Sequence, residues 1–451
     1  MTTTTFALIL FAVTYICIFA FQKIRPYVAI ASAAIFIVVG SIGVFPDFQY
    51  SVFSGFSQID WNVLLMIIGT MGTVQLFIDS NMPNYMSDVL LSKITSTKWM
   101  IVVMSLFAGI ISAFVDNVAT VLMIAPVAMA ICKRLDISPV PTIICISISS
   151  NLQGAATLVG DTTSILLAKA ANLDFTDFFF VEGKPGMFWV TEIGALVSAL
   201  IIVFLFRKEN DKIDATDPVP VEDKVPTWLL ILTVVSLIAV SFIPYKSNAA
   251  EGQFYKPDIT NGLICCFFFI IGLVRQCIKE NSLKPASRAI DELDYYTLFL
   301  LLGLFIVIGG IQEAGIIDLL AQKIFEMCGG STRGAVFATY TIIVWISVLL
   351  SAFIDNIPYV ATMLPVITFL NAQFAQAGLA VHPNLLYFGL LVGATLGGNL
   401  TPVGASANIA GIGILRKEGY EVHPKTFMKF SIPFTLSAVI VGYVLVWFIW
   451  M

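Results

Sequence analysis

Charge is scarce in this chain: Asp, Glu, Lys and Arg make up only 12% of its 451 residues, about half the share found in soluble domains. Hydrophobic residues make up 58% and the mean hydropathy is +0.92, which excludes a water-soluble globular fold. Histidine is nearly absent. The two present, His382 and His423, are each followed by proline, so no histidine-ligated metal site is expected. The seven cysteines form no CxxC pair and fall mostly inside apolar runs, pointing to buried thiols rather than disulfide or metal chemistry. There is no basic block and no nucleotide-binding loop, and the net charge is -5. Nucleic-acid partners, a polybasic lipid-binding tail and an ATP-driven pump built on this chain alone are therefore not expected.

What the chain does contain is apolar sequence in membrane-crossing lengths, about 20 residues for roughly 30 Å of hydrocarbon. Unbroken runs cover residues 6–21, 27–45, 61–78, 187–206, 228–243, 259–273, 295–311 and 427–450. The first lacks the basic start of a cleavable signal peptide and is expected to remain a helix. Four more apolar stretches, 99–132, 139–170, 334–370 and 384–415, are interrupted by Asp, Asn, Gly, Ser, Thr and Pro. Reading 99–132 and 334–370 as re-entrant hairpins, and 139–170 and 384–415 as broken crossing helices, gives an all-α polytopic membrane protein with about ten crossings. Placing the amino terminus outside puts eighteen of the 24 Lys and Arg residues on the cytoplasmic side, in line with the positive-inside rule. The expected setting is the plasma (inner) membrane, with both termini outside.

The chain also repeats itself. Ser112–Val127 (SAFVDNVATVLMIAPV) aligns without a gap on Ser351–Val366 (SAFIDNIPYVATMLPV), with eight identities in sixteen positions. Asp60-Trp61 opens a helix containing Gly69 as Asp294-Tyr295 opens one containing Gly303, and Thr157–Ser164 (TLVGDTTS) answers Thr401–Asn408 (TPVGASAN). Two halves follow, 1–206 and 227–451, joined by a charged, proline-bearing cytoplasmic linker at 207–226. An odd number of crossings per half makes the second half inverted relative to the first.

Backbone groups freed by a helix break cannot face lipid, so breaks in both halves point to one central site. Asp116 and Asp355 stand at matching positions in apolar sequence. An ionised carboxylate there costs about 2.5–3.5 kcal/mol unless it binds a proton or cation. Each also reads as a helix N-cap, and the two roles are compatible. Asn117, Thr120 and Asn356 accompany them, either satisfying backbone groups or ligating an ion. The breaks in 149–164 and 393–408 contribute Ser150, Asn151, Thr157, Gly160 and Asp161, and Asn399, Thr401, Gly404, Ser406 and Asn408. Hydroxyl and amide oxygens beside glycine suit a hard cation such as sodium, with Asn117, Asn151, Asn356 and Asn399 as its candidate ligands. For an isolated glycine such as Gly393, close helix packing is the simpler reading. Ala405 stands opposite Asp161 in the repeat, so the halves are chemically unequal. No Lys or Arg occurs in 99–132, 135–168 or 334–415, leaving these segments without a cationic clamp for a polyanion.

The order hairpin, broken helix, inverted repeat resembles the ion transporter superfamily, which includes divalent-anion/sodium symporters, arsenite efflux pumps, D-type sodium/proton antiporters and the melanosomal P protein. The likeness covers nearly the whole chain. The 351–366 string and GGNLTPVGASANIAGIGILRKEGYEVHPKTFMKF at 397–430 look most like the arsenite-pump and P protein branch. Symporter hairpin tips carry Ser-Asn-Thr. Here the strings are Asp116-Asn117-Val118-Ala119-Thr120 and Asp355-Asn356-Ile357-Pro358-Tyr359, and aspartate in place of serine argues against a simple dicarboxylate specificity. The resemblance implies a scaffold and a moving transport unit, usually in a homodimer within the lipid bilayer. It also implies one cation site from Asp116, Asn117, Ser150, Asn151 and Gly160, and a second from Asp355, Asn356, Asn399, Thr401 and Gly404, with substrate between them.

The implied activity is not enzymatic. It is secondary active transport, in which a proton or sodium gradient moves a small inorganic ion, metalloid or anion, with no cofactor beyond the coupling ion. Sodium/proton antiport, sodium-coupled dicarboxylate or citrate symport and, from another class, a passive channel remain open. An intramembrane aspartyl protease needs GxGD, and Leu158 stands where its first glycine belongs. The orientation is testable with a single cysteine at position 215 in a cysteine-free background. A membrane-impermeant thiol reagent is expected to label it from the cytoplasmic side only, and labelling from outside alone would reverse the topology.

Overall fold

The computed structural model describes residues 2–92, 94, 96–209, 221, 223–245, 253–327, 332–379 and 381–451. Most of the expected linker, 210–220 and 222, lies outside the described residues, as do the loop charges Lys93, Lys212 and Lys246. All eight unbroken apolar runs form helices: Thr3–Ala20, Arg25–Ile42, Trp61–Asp79, Met187–Leu205, Val225–Ser241, Thr260–Glu280, Tyr295–Glu313 and Pro424–Trp450. Each interrupted stretch is a pair of helices meeting at its break. The hairpins are Thr97–Ser112 with Asn117–Arg134, and Arg333–Ser351 with Asn356–Gln376. The broken helices are Val140–Gly154 with Thr162–Ala171, and Asn384–Gly397 with Ser406–Lys417.

Among the described residues, nine helices are long and apolar enough to cross a membrane. Three of these are hairpin arms, Asn117–Arg134, Arg333–Ser351 and Asn356–Gln376, and the fourth arm, Thr97–Ser112, is shorter at 16 residues. Short helices at Met82–Leu91, Lys284–Asp291 and Ile316–Met327, and a two-stranded turn pairing Phe180–Val181 with Lys184–Pro185, carry too few apolar residues to register as runs in the sequence.

Aspartates set the starts of the key helices. Asp60 Oδ1 accepts from the Val63 amide and Asp294 Oδ1 from the Thr297 amide, both at 3.0 Å, so each satisfies an orphan donor of a first helical turn. Glycines then let these two helices approach neighbours from the opposite half of the chain. A Cβ on Gly69 would come within 2.3 Å of the Cys265 backbone, and one on Gly303 within 2.7 Å of the Ala29 backbone. Trp61–Asp79 thus lies along Thr260–Glu280, and Tyr295–Glu313 along Arg25–Ile42. Met187–Leu205 and Pro424–Trp450 pack on each other, while the first arm of each hairpin lies against the first segment of its broken helix. The hairpins and broken helices are thereby held at the centre of the bundle.

At the end of the linker, Asp223 accepts two hydrogen bonds from Arg275 (2.7 and 3.2 Å) and one from Lys279 (3.1 Å). Partial burial works against the charge, but these bonds and the Val225 amide hold its carboxyl down at about 2. A carboxyl lowered by folding contributes stability that is present above about pH 4 and lost as the pH falls toward 2. Because Arg275 and Lys279 are solvent-accessible, the contribution is no more than about 1 kcal/mol. Asp223→Asn is expected to leave the helices folded and to speed protease cleavage within 207–226, read as the rate of appearance of the two halves on a gel.

Candidate functional site

The two hairpin tips are built alike. Asp116 Oδ1 caps Asn117–Arg134 by accepting from the amides of Val118 (3.0 Å) and Ala119 (3.2 Å). Asp355 Oδ1 caps Asn356–Gln376 by accepting from the Ile357 amide (3.2 Å). Behind each tip, the broken helix folds onto hairpin carbonyls: Thr157 donates to the Ala113 carbonyl and Thr401 to the Ala352 carbonyl. Gly160 and Gly404 close the same joints. A Cβ on Gly160 would meet the Gly154 and Ser112 carbonyl oxygens at 2.6 Å, and one on Gly404 the Gly398 oxygen at 2.6 Å and the Ser351 and Ala352 oxygens at 2.7 Å.

An amide and hydroxyl network then links the halves. Asn117 donates to Asn151 Oδ1 (3.0 Å), and Ser150 donates to the Asn117 carbonyl (2.9 Å). Asn151 donates in turn to the Thr395 carbonyl (2.8 Å) and to Asn399 Oδ1 (3.1 Å), while Asn399 donates back to the Ile148 carbonyl (2.8 Å). Asp161 Oδ2 accepts from Thr163 (2.7 Å) and from Asn356 of the other half (3.3 Å). Thr163 also shares a hydrogen bond with the Thr395 hydroxyl (3.0 Å). Ser406 donates to Asp355 Oδ2 (3.1 Å). Asn408 donates to the Gly398 and Thr401 carbonyls, and its Oδ1 has no partner. Thr120 turns inward toward the Val115 carbonyl at 3.5 Å. The residue sets expected for two separate sites therefore interlock, since Asn151 of one reaches Asn399 of the other, and Asn356 also reaches Asp161, which stood in neither set.

Asp116, Asn117, Asp161, Asn356 and Ser406 line a cavity of about 430 Å³. The C-terminal half of Trp61–Asp79 and the start of Tyr295–Glu313, with Glu292 and Asp294, complete its wall. It lies at the linker end of the bundle, because Arg288 bridges Glu292 and Asp79 and Asp79 shares a neighbouring cleft with Asp223. Four carboxylates line the cavity and, among the described residues, no Lys, Arg or His does.

One basic residue is nevertheless close to a tip. Arg25 Nη1 lies 3.0 Å from Asp355 Oδ2, and both side chains are buried. The interrupted segments themselves hold no Lys or Arg, as read from the sequence, but Asp355 gains a basic partner from outside them, whereas Asp116 has none among the described residues. In the sequence Arg25 reads as a loop charge because its partner lies 330 positions away. Thr395 was also missed, although the repeat register that pairs Thr157 with Thr401 pairs it with Asn151.

A model of the citrate transporter family (CitMHS) matches residues 9–393. The chain belongs to that family. An uncharacterised transporter of Mycobacterium tuberculosis is similar at 30% identity over 428 residues, covering 94% of this chain and 93% of the relative. The human P protein is similar at 25% over 449 residues, covering 85% of this chain and 53% of that protein. Two solved structures share the fold. One is the Alcanivorax borkumensis YdaH transporter, described as having an unusual topology (TM-score 0.55, 16% identity, 87% of this chain and 85% of that one). The other is Neisseria gonorrhoeae MtrF, described with a class of antimetabolite efflux pumps (TM-score 0.55, 14% identity, 99% and 94%). The superfamily resemblance carried by the repeated motif and the all-α membrane architecture are both borne out.

In this family member Asn151 is the hub of the network. Its replacement by alanine leaves the Thr395 carbonyl, the Asn117 amide group and Asn399 Oδ1 short of a partner, each costing on the order of 1–3 kcal/mol when buried. Asn151→Ala is expected to lower the melting temperature in detergent clearly more than Ser150→Ala, which removes one donor. Equal shifts would show that Asn151 does not hold the halves together.

Proposed function

We propose that this citrate transporter family member is a cation-coupled secondary transporter. Its cargo occupies the linker-side cavity, and a coupling proton or sodium ion binds beside Asp116 and Asp161. The observation that carries this reading is the convergence on one cavity of Asp116 at a hairpin tip, Asp161 at a helix break and Asp294 at a helix start, none of which forms an ion pair among the described residues. Carboxylates in apolar surroundings are costly unless they hold a proton or cation, and amide and hydroxyl oxygens around Asp161 complete an oxygen-rich setting for one. Asp116 Oδ1 is occupied by capping and its Oδ2 has no partner among the described residues, so capping leaves half the carboxylate available.

The same field disfavours a bare polyanion, because like charges repel strongly where water is scarce. A cation or a neutral hydroxide fits as cargo. A citrate-like carboxylate, which the family's name favours, fits when bound cations compensate its charge.

Purified protein in liposomes tests both parts. Saturable uptake driven by an imposed sodium or proton gradient is expected, and carboxylate uptake is expected to depend on a complexing divalent cation. Asp116→Asn retains size and capping ability but is expected to lose at least tenfold of gradient-driven flux together with its ion dependence. Wild-type flux and ion dependence in both Asp116→Asn and Asp161→Asn would rule out the coupling role, and non-saturable, gradient-independent flux would favour a channel.

A further inference from the structure

The two tip aspartates spend Oδ1 in the same way and differ at Oδ2. Asp355 Oδ2 accepts from Arg25 Nη1 at 3.0 Å and from Ser406 at 3.1 Å. The guanidinium is fixed from the other side, its Nε donating to the Ile18 carbonyl at 3.0 Å, and Arg25 is only 3% exposed. Asp116 has no such partner among the described residues. The packing shows which residue of the other half corresponds to this arginine. Ala29 lies against Gly303 as Cys265 lies against the matching Gly69, so Arg25, four residues before Ala29, corresponds to Asn261, four residues before Cys265. Asn261 is neutral and bonds Tyr245 instead (3.1 Å). One half therefore carries its own cation at the tip and the other does not.

We infer that Arg25 is a resident counter-cation that takes the place of a coupling ion at Asp355, so that in this conformation the protein binds one coupling cation, on the Asp116 side, rather than one per half. This rests on the cation-coupled reading above and assigns its ion stoichiometry. The guanidinium is permanently charged, and its planar donors suit a carboxylate oxygen in a site largely closed to water. It is tethered to Arg25–Ile42, whereas Asp355 belongs to the hairpin, so the neutralising charge cannot leave with the cargo. With Arg25 in place, a sodium ion or proton at Asp355 would have to displace a bonded cation. At Asp116 it meets an unpaired oxygen.

The order of the reaction in coupling cation tests this. In proteoliposomes, initial flux is titrated with sodium and, in sodium-free buffer, with protons. Wild type and Arg25→Lys are expected to give a Hill coefficient near one. Arg25→Gln, which uncovers Asp355, is expected to raise it toward two, and Arg25→Gln combined with Asp355→Asn to return it to one. Equilibrium binding of labelled sodium to detergent-purified wild type gives a second readout that needs no variant. More than one sodium ion per chain would overturn the inference even if Arg25→Gln failed to fold. A merely structural arginine predicts lower stability and flux in Arg25→Gln with the order unchanged, which would also overturn it. Loss of cation dependence in wild type itself would instead remove the coupled-transport reading on which the inference stands.

Discussion

Everything at the centre of this molecule depends on the rule that a peptide group released from a helix inside an apolar layer must find another partner. Both halves meet it in the same way. A threonine after the break, Thr157 or Thr401, bonds a carbonyl at the end of the hairpin's first arm. A glycine three residues later, Gly160 or Gly404, lets the loop settle against further carbonyl oxygens. Hairpin tip and helix break are thus a single structural joint, and a side chain on one is positioned by the backbone of the other. The polar groups gathered to satisfy the break are the same groups that make the cavity wall oxygen-rich, so the stability of the joint and the ion binding proposed for it would have one origin.

The joints are not independent copies. Asn151 and Asn399 cross-link the two breaks, and Asn356 of one tip bonds Asp161 of the opposite break. Buried polar networks of this kind are costly when partly satisfied and rigid when complete, which ties the two tips into one unit. Charge then breaks the likeness. Asp161 faces Ala405 across the repeat, and Arg25 has Asn261 as its counterpart. The net result is a surplus of negative charge on the cavity side and a neutralised carboxylate beside it.

Much of this was legible in the residues. The gapless match of 112–127 on 351–366 located both tips, and the 157–164 and 401–408 strings located both joints, because local helix breaks leave local signatures in Asp, Asn, Gly and Thr. The eight apolar runs gave the remaining long helices. What was missed depends on distance along the chain. Arg25 stands between two apolar runs and reads as a topological charge, since only tertiary packing brings it to Asp355. Asp294 reads as a helix opener, which it is, but the cavity it also lines exists only once Trp61–Asp79 and the first hairpin are in place. The amphipathic helices at 82–91 and 316–327 are too short for an apolar run to show them.

The second large cavity clarifies the first. It measures about 450 Å³ and is lined by Asp60, Lys169, Phe305, Ile308, Gln312, Asp318 and Ala361, with no tip residue. In the repeat register Asp60 corresponds to Asp294, Phe305 and Ile308 to Met71 and Val74, and Ala361 to Leu122, and each of those counterparts lines the linker-side cavity. Matching positions of the two halves therefore line cavities at opposite ends of the same helices, Trp61–Asp79 and Tyr295–Glu313. The cavities differ in what they offer a charged solute. Asp60 has Lys169 at 3.6 Å, whereas Asp294 forms no ion pair among the described residues. A solute approaching from the far end meets an aspartate already paired with a lysine, set among mostly apolar side chains. One approaching from the linker end meets Asp116, Asp161 and Asp294, none of them in an ion pair among the described residues, with both tips in the same wall, and this difference is the reason the proposed coupling cation is placed on the linker side.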